Sequence, residues 1–275
     1  MSCLMLAKLI NNLPPRLQDL HIDASVTPAS NHDMCEAESR LFKSHDSVLS
    51  LRCVGLRDGG WCFTHRSFIH LLKRCPDLED LRLPYAYKGV PYDPTKMGQL
   101  LDSDLTHLSS LSMNYCCPEC QPRNDVSVIL RMFSRGFKRL WLKTYGCRYH
   151  NSPPTWTDTL ILETLIATST VNTIEGLTFL ARIGHADRIT KILKHCPRLR
   201  VFRVENFDRD GYDEGIEAKE LLSSMKGPWK CQETLEELQV MIREDTHDAE
   251  KDIQQLCLRL KSFARSATFF WSRNM

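Results

Sequence analysis

The sequence lacks long apolar runs and any large excess of charge. No stretch of the 275 residues holds the roughly 18 apolar residues that a membrane-spanning helix needs. The 36 lysines and arginines nearly balance the 34 aspartates and glutamates, which leaves a net charge of +2. A dedicated nucleic-acid or membrane-surface protein would show a stronger basic field, so neither is expected as a partner. With 42% hydrophobic and 25% charged residues, the composition instead predicts a folded chain with a substantial core.

A secretory signal is also missing. The N-terminal apolar stretch 3–10 has no basic flank, is interrupted by Lys8 and ends shortly before Pro14, so it predicts a core helix. Sequons of the form Asn-x-Ser/Thr are absent. These features favour an intracellular protein, cytoplasmic or nuclear. In such a compartment we expect the twelve cysteines to be reduced thiols that pack as small hydrophobes.

Common catalytic motifs are absent as well. The sequence contains no Gly-x-Ser-x-Gly, no phosphate-binding Gly-rich loop and no His-Glu-x-x-His. The acidic segment 208–214 has its glycine at the fourth position, whereas an EF-hand loop needs one at the sixth, so we expect a solvated loop. We therefore expect neither enzyme activity nor a cofactor. A cysteine-dependent enzyme stays open as an alternative, because a cysteine and its histidine base meet in space and not along the chain.

What the chain does contain is a repeat of the form apolar-x-x-apolar-x-apolar. The central apolar residues of the eight matches are Leu20, Leu51, Leu81, Leu111, Leu140, Leu177, Phe202 and Leu238. Successive centres are 31, 30, 30, 29, 37, 25 and 36 residues apart. Because chance matches would not be spaced so regularly over the first five units, each match predicts a short strand.

Helical stripes lie between these strands. Apolar residues at i, i+3, i+4 and i+7 form one stripe in each of the segments 68–75, 126–133 and 189–196. Further helices are predicted over 157–170, 217–225 and 248–264. Each helix precedes a strand by a few residues, so the repeating unit is a helix, a tight loop, a strand and a return loop.

The joint between helix and strand is the most specific signal. Cys75-Pro76 and Cys196-Pro197 each stand directly before a strand match. The proline ends the helix because it cannot continue the hydrogen-bond ladder, and the cysteine closes the apolar stripe with a small side chain. The two joints resemble the cysteine-containing class of leucine-rich repeat, which is common in F-box/LRR proteins and related to the ribonuclease-inhibitor-like fold. The segment 229–238 further resembles divergent fungal members of that group.

This resemblance implies a single α/β leucine-rich-repeat solenoid over 1–275, of about eight repeats, with a curved parallel sheet on the concave side and helices on the convex side. It also implies a non-catalytic module that binds a target protein, as the substrate-recognition domain of an F-box-type ubiquitin-ligase receptor with a cullin-type ligase adaptor. No F-box is recognisable before the first repeat, so an independent repeat scaffold or sensor is the alternative. For the ends, truncation and coverage by another element both stay open.

The predicted binding site is a stripe on the concave face, where residues alternate with the buried positions of each strand. Its members are Arg52, Arg82, Arg139, Trp141, Lys143 and Arg203. Arginine and tryptophan often anchor protein interfaces, and guanidinium groups match carboxylate and phosphate oxygens. The stripe therefore predicts an acidic or phosphorylated protein or peptide as the partner. The alternative is that these charges only keep an exposed sheet soluble.

A second candidate site consists of Cys117, Cys120, Cys147 and His150 in two return loops. Adjacent repeats would place these loops side by side, and three thiolates with one imidazole form a tetrahedral zinc set. Such a site would be structural, since it leaves no open position for water. In a chain with so many cysteines, coincidence is the alternative.

Overall fold

The computed structural model describes residues 3–22, 36–37, 39–40, 48–56, 65–82, 94–115, 125–144, 155–180, 186–205, 216–217, 220, 223, 228–231, 233–239, 241–243 and 270–271. The helices are α1 (Cys3–Asn11), α2 (His65–Lys73), α3 (Pro94–Ser103), α4 (Asp125–Met132), α5 (Thr155–Ala167), α6 (Thr170–Thr173) and α7 (Ala186–His195). The strands are β1 (Asp19–Ile22), β2 (Cys53–Leu56), β3 (Asp80–Arg82), β4 (Ser110–Tyr115), β5 (Arg139–Thr144), β6 (Gly176–Leu180), β7 (Val201–Glu205), β8 (Ile216–Glu217), β9 (Glu237–Gln239), β10 (Met241–Arg243) and β11 (Phe270–Trp271).

Eight strands form one open parallel sheet. Its order is β1-β2-β3-β4-β5-β6-β7-β9, so its strands follow chain order, and only between β7 and β9 does a strand of the other sheet, β8, intervene. Strands β8, β10 and β11 form a second, three-stranded sheet with β10 at its centre. Parallel neighbours need a crossover, and helices lie between most of the strands, as in an α/β solenoid. Among the described helices, none has the length and apolar character to cross a membrane.

A repeated hydrogen-bond pattern keeps the strands in one register. The carbonyl of Ser109, directly before β4, accepts hydrogen bonds from the N–H groups of Lys138 and Arg139 at 2.8 and 3.1 Å. The residue before every other main-sheet strand with a following neighbour accepts two N–H groups in the same way, beginning with Gln18. Residues at equivalent positions therefore lie side by side across the sheet.

One face of the main sheet is buried under the helices. The central buried row consists of Leu20, Val54, Leu81, Leu111, Leu140, Leu177, Phe202 and Leu238, each at most 7% exposed. The three predicted helical stripes, in 68–75, 126–133 and 189–196, belong to the same hydrophobic cluster. The helix predictions for these segments and seven of the eight predicted strand centres are thereby confirmed.

The second strand corrects the predicted register. Leu51 was the predicted centre, but β2 begins at Cys53 and Leu20 pairs with Val54. Leu51 is buried ahead of the strand, whereas Val48, predicted to be an apolar position of the repeat, is 65% exposed. The cause is visible in the sequence, because Leu51-x-x-Val54-x-Leu56 is a second match to the same pattern, three residues downstream. Two overlapping matches cannot be separated by periodicity alone.

Helix predictions differ from the structure in two further places. Helix α3 was not predicted, although Met97, Leu100 and Leu101 are buried at helical spacing. Glu217, predicted to begin a helix, lies in β8. Glu220 and Ser223 are helical, as predicted, whereas the other residues of 218–225 and all of 248–264 lie outside the described residues.

The turn directly ahead of β5, at Arg135 and Gly136, fixes where that strand begins. Arg135 donates to the carbonyls of Leu101, Leu105 and Thr106 at 2.9, 2.9 and 2.7 Å, which satisfies the open end of α3 in the neighbouring repeat. Gly136 has φ +72°, and a Cβ there would lie 2.4 Å from Oγ1 of Thr173. The turn into β5 therefore needs glycine and is held by the repeats on both sides.

Candidate functional site

Two rows of side chains lie on the face of the main sheet that alternates with the buried row. The first row is Asp19, Cys53, Asp80, Ser110, Arg139, Gly176, Val201 and Glu237. The second row is His21, Gly55, Arg82, Ser112, Trp141, Thr178, Arg203 and Gln239. This face, from β1 to β9, corresponds to the predicted concave surface, and we call it the exposed face.

The side chains of the exposed face alternate in size from strand to strand. Strands β1, β3 and β5 carry large side chains, whereas β2, β4 and β6 carry only cysteine, glycine, serine or threonine. Strands of like size are two positions apart, which is about 9.6 Å. We call a strand with large side chains on this face a ridge and a strand with small ones a furrow. Three of them are used below: the β5 ridge (Arg139 and Trp141), the β4 furrow (Ser110 and Ser112) and the β6 furrow (Gly176 and Thr178).

At the N-terminal end of the sheet, the ring of His21 fills the space above a glycine. A Cβ on Gly55 would lie 2.4 Å from Nδ1 of His21. The Sγ atom of Cys53 lies 3.6 Å from Nε2 of the same ring. Burial, and then the charge of Asp80, raise the pKa of the Cys53 thiol, while Arg82 acts in the opposite direction. The thiol therefore stays protonated at neutral pH, which makes it a poor nucleophile.

Two of the predicted arginines are neutralised within the sheet. The guanidinium of Arg203 forms a two-point pair with Glu237, with Nε–Oε1 and Nη2–Oε2 distances of 2.6 and 2.9 Å. Nη2 of Arg82 lies 3.7 Å from Oδ2 of Asp80 on the same strand. Both arginines lie on the exposed face, and each forms an ion pair with a carboxylate of the same face. Their local charge is therefore largely compensated.

The β5 ridge differs from these pairs. Among the residues that the structure describes, Arg139 forms no ion pair. Two positions along the strand, Trp141 is 43% exposed, and the register places Ser112 and Thr178 on either side of it. Lys143 continues β5, but its side chain lies outside the described part. The centre of the sheet thus presents an uncompensated guanidinium beside an exposed indole.

Arg52 does not belong to either row, so its predicted place on the concave face was wrong. It lies one residue ahead of β2, and its Nη2 is 2.6 Å from Oε1 of Glu79, the residue ahead of β3. Arg200 and Glu236 form an equivalent pair ahead of β7 and β9, with an Nε–Oε1 distance of 2.8 Å. The reason is the register of β2, which begins at Cys53.

The joint cysteines pack as predicted. Cys75 and Cys196 are fully buried, and burial raises the pKa of each thiol to about 12. Cys231, one repeat later, is also fully buried, and burial raises the pKa of its thiol to about 12. This thiol donates a hydrogen bond to the carbonyl of Leu193 at 3.4 Å. At neutral pH all three thiols are protonated, so they contribute as small hydrophobes.

The predicted zinc residues Cys117, Cys120, Cys147 and His150 lie outside the described residues. Within the described ranges, no three or more histidine, cysteine, aspartate or glutamate side chains are grouped so that they could hold a metal ion. The zinc hypothesis therefore stays a prediction.

Sequence reasoning placed four residues of the stripe correctly on one face, namely Arg82, Arg139, Trp141 and Arg203. It missed the acidic partners of Arg82 and Arg203. The Arg82–Asp80 pair could have been predicted, because residues two positions apart on one strand point to the same side of the sheet. The Arg203–Glu237 pair could not, because it joins residues 34 positions apart in the sequence.

Comparisons with known proteins add no family to this geometry. No protein-family model matches the chain, and no curated protein matches it.

Proposed function

We propose that this chain is a non-catalytic leucine-rich-repeat module that captures a target protein on its exposed, concave face. The observation that carries the proposal is the β5 ridge, where an exposed tryptophan lies beside an arginine that forms no ion pair with any residue the structure describes. Tryptophan and arginine near the centre of a surface are the residue types on which binding energy concentrates. An acidic or phosphorylated segment suits this ridge, because guanidinium groups bind carboxylate and phosphate oxygens.

The state of the cysteines that the structure describes supports a binding role over a catalytic one for these thiols. A nucleophilic cysteine is activated by a lowered pKa, whereas the pKa values of Cys53, Cys75 and Cys196 are all raised. Cys53 is the one of these three with access to solvent, and its histidine neighbour does not offset the effect of burial. An enzyme that uses one of these three thiols is accordingly the weaker alternative.

The finer proposal is that the module is of the F-box/LRR type and acts as the substrate receptor of a ubiquitin ligase. The joints Cys75-Pro76 and Cys196-Pro197 and the leucine-rich central buried row support the repeat class. Immunoprecipitation of the full gene product from its source cell tests the ligase role. We expect a cullin-type adaptor among the recovered proteins. Recovery of a target without ligase components would contradict that role and leave the independent scaffold or sensor.

A photo-crosslinking experiment tests the binding face itself. A benzophenone amino acid at Val201, on the exposed face of β7 beside the β6 furrow, is compared with the same amino acid at Lys191, which is exposed on α7. We expect the Val201 position to capture a discrete protein, and we expect Trp141→Ala to remove that product. Equal capture at Lys191, or capture unaffected by Trp141→Ala, would contradict binding at the exposed face.

A further inference from the structure

The spacing within the β5 ridge limits what can bind there. Arg139 and Trp141 are two residues apart on one strand, so their side chains point to the same face about 6.6 Å apart. An extended peptide has the same repeat, and its residues i and i+2 also share a side at that distance. A partner segment that lies along β5 can therefore place one side chain at the guanidinium and the next-but-one side chain at the indole.

The β4 and β6 furrows flank the β5 ridge and carry small side chains, although Ser110 is only 9% exposed and the Arg139 side chain reaches towards Gly176. The β4 furrow contains Ser110 and Ser112, and the β6 furrow contains Gly176 and Thr178. The ridges on the two sides of the β4 furrow are two strand spacings, about 9.6 Å, apart, which is the lateral width of a single extended chain between two neighbours. An extended chain lying in one furrow would direct alternate side chains towards the β5 ridge. A wider element such as a helix, about 10 Å or more in diameter, would rest on the ridges and miss the furrow floor.

Charge decides which side chain belongs at Arg139. The guanidinium of Arg203 is already bound at two points by Glu237, and Arg82 faces Asp80. An incoming anion would meet a compensated pair at both places. At Arg139 the described residues supply no such carboxylate. An anion therefore gains most at Arg139, and the flat apolar face of Trp141 suits an aromatic or large aliphatic side chain.

We infer that the β5 ridge binds an extended segment of a partner protein in which an acidic group stands two residues from a large apolar or aromatic side chain. This inference rests on the proposed binding function and adds the composition and spacing of the partner. The acidic group is a carboxylate or a phosphate monoester, since both present oxygens that a guanidinium fork can bind.

A random octapeptide display library, selected on the full chain, tests the spacing. Peptides are first depleted on Arg139→Gln/Trp141→Ala, whose circular dichroism spectrum must match that of the original chain. We expect the enriched peptides to share an aspartate or glutamate two positions from an aromatic or large aliphatic residue. Enrichment of other spacings, or no enrichment at all, overturns the inference.

Fluorescence anisotropy on the enriched peptides tests the two contacts separately. We expect Arg139→Gln and Trp141→Ala each to weaken binding about tenfold or more, as for a central interface residue. The matched control is Arg200→Gln/Glu236→Gln, which removes an ion pair ahead of β7 and β9, outside the two rows of the exposed face, without changing the net charge. It should alter Kd less than about twofold. Equal losses in the control and in Arg139→Gln would overturn the role of Arg139.

Two further experiments distinguish a carboxylate from a phosphate in the partner, and distinguish failure of the Arg139 contact from failure of binding at the exposed face. Replacement of the acidic residue by phosphoserine will tighten binding if the partner is phosphorylated and leave it unchanged or weaker if the carboxylate is the natural group; either result supports an anion at Arg139. Ser112→Trp and Thr178→Trp fill the β4 and β6 furrows, and one of them should abolish binding. Peptides sensitive to these substitutions but not to Arg139→Gln would overturn the inference and leave the binding face intact.

Discussion

The two faces of the main sheet follow different rules. On the buried face the central row contains only apolar residues, and none is more than 7% exposed. On the exposed face, equivalent positions hold aspartate, cysteine, serine, arginine, glycine, valine and glutamate. The uniform face stacks one repeat on the next, because each unit must bury its apolar side against its neighbours. The variable face is free to carry function, so substitutions on the two faces should have different consequences.

Removal of the buried Phe202 ring should cause the largest loss of stability. Phe202 is fully buried in the central row, and Phe202→Ala should lower the free energy of unfolding by about 3–5 kcal/mol. Urea denaturation followed by circular dichroism measures this loss. The control is Val201→Ala, one residue earlier and on the exposed face, with an expected loss below about 1 kcal/mol. Similar losses in the two variants would remove the distinction between the faces.

High pH should lower the free energy of unfolding, because it favours deprotonation of the buried thiols. The folded pKa of Cys75 is about 12 against an ordinary value of 9.0, so the protonated thiol is favoured in the folded state. Its stabilising contribution is complete below pH 9 and is lost as the pH rises towards 12. Between pH 8 and pH 11 the unfolding free energy should fall by about 2–3 kcal/mol through this thiol. Cys75→Ala should fall less steeply over that range, and parallel curves would contradict the assignment.

The junction that leads into β5 should tolerate no side chain. Gly136→Ala places a Cβ against Thr173 and forces a left-handed backbone, which costs about 1–2 kcal/mol before any clash. Thermal unfolding measures the change. Gly176→Ala is the matched control, because its Cβ would meet only the flexible Arg139 side chain at 3.4 Å. A larger loss at Gly176 than at Gly136 would contradict this account of the turn.

The compensated ion pair on the exposed face should have the smallest effect. The Arg203–Glu237 pair has side chains that are 42% and 24% exposed, and solvent screens such pairs. Arg203→Gln/Glu237→Gln should change the unfolding free energy by less than about 1 kcal/mol in chemical denaturation. A larger loss would mean that the exposed face also contributes substantially to the fold.

The buried face could be predicted largely from sequence, and the exposed face only in part. Periodicity identifies a buried position directly, which is why Leu81 and Leu140 were placed correctly. It failed at β2 because Leu51 and Val54 satisfy the same pattern three residues apart. The size alternation of the exposed face is visible only after the register is known. The compensation of Arg203 depends on a neighbouring strand, and no local pattern encodes it.

Leu140 and Trp141 provide the most direct test, because they are adjacent on β5 and lie on opposite faces. The unfolding free energy and the affinity for a library-selected peptide are measured for Leu140→Ala and Trp141→Ala under identical conditions. We predict that Leu140→Ala loses about 2–5 kcal/mol of stability while its folded fraction binds normally. We predict that Trp141→Ala keeps its stability within about 0.5 kcal/mol and loses about tenfold or more in affinity. Loss of both properties in both variants, or normal binding by Trp141→Ala, would contradict the division of the sheet into a stacking face and a binding face.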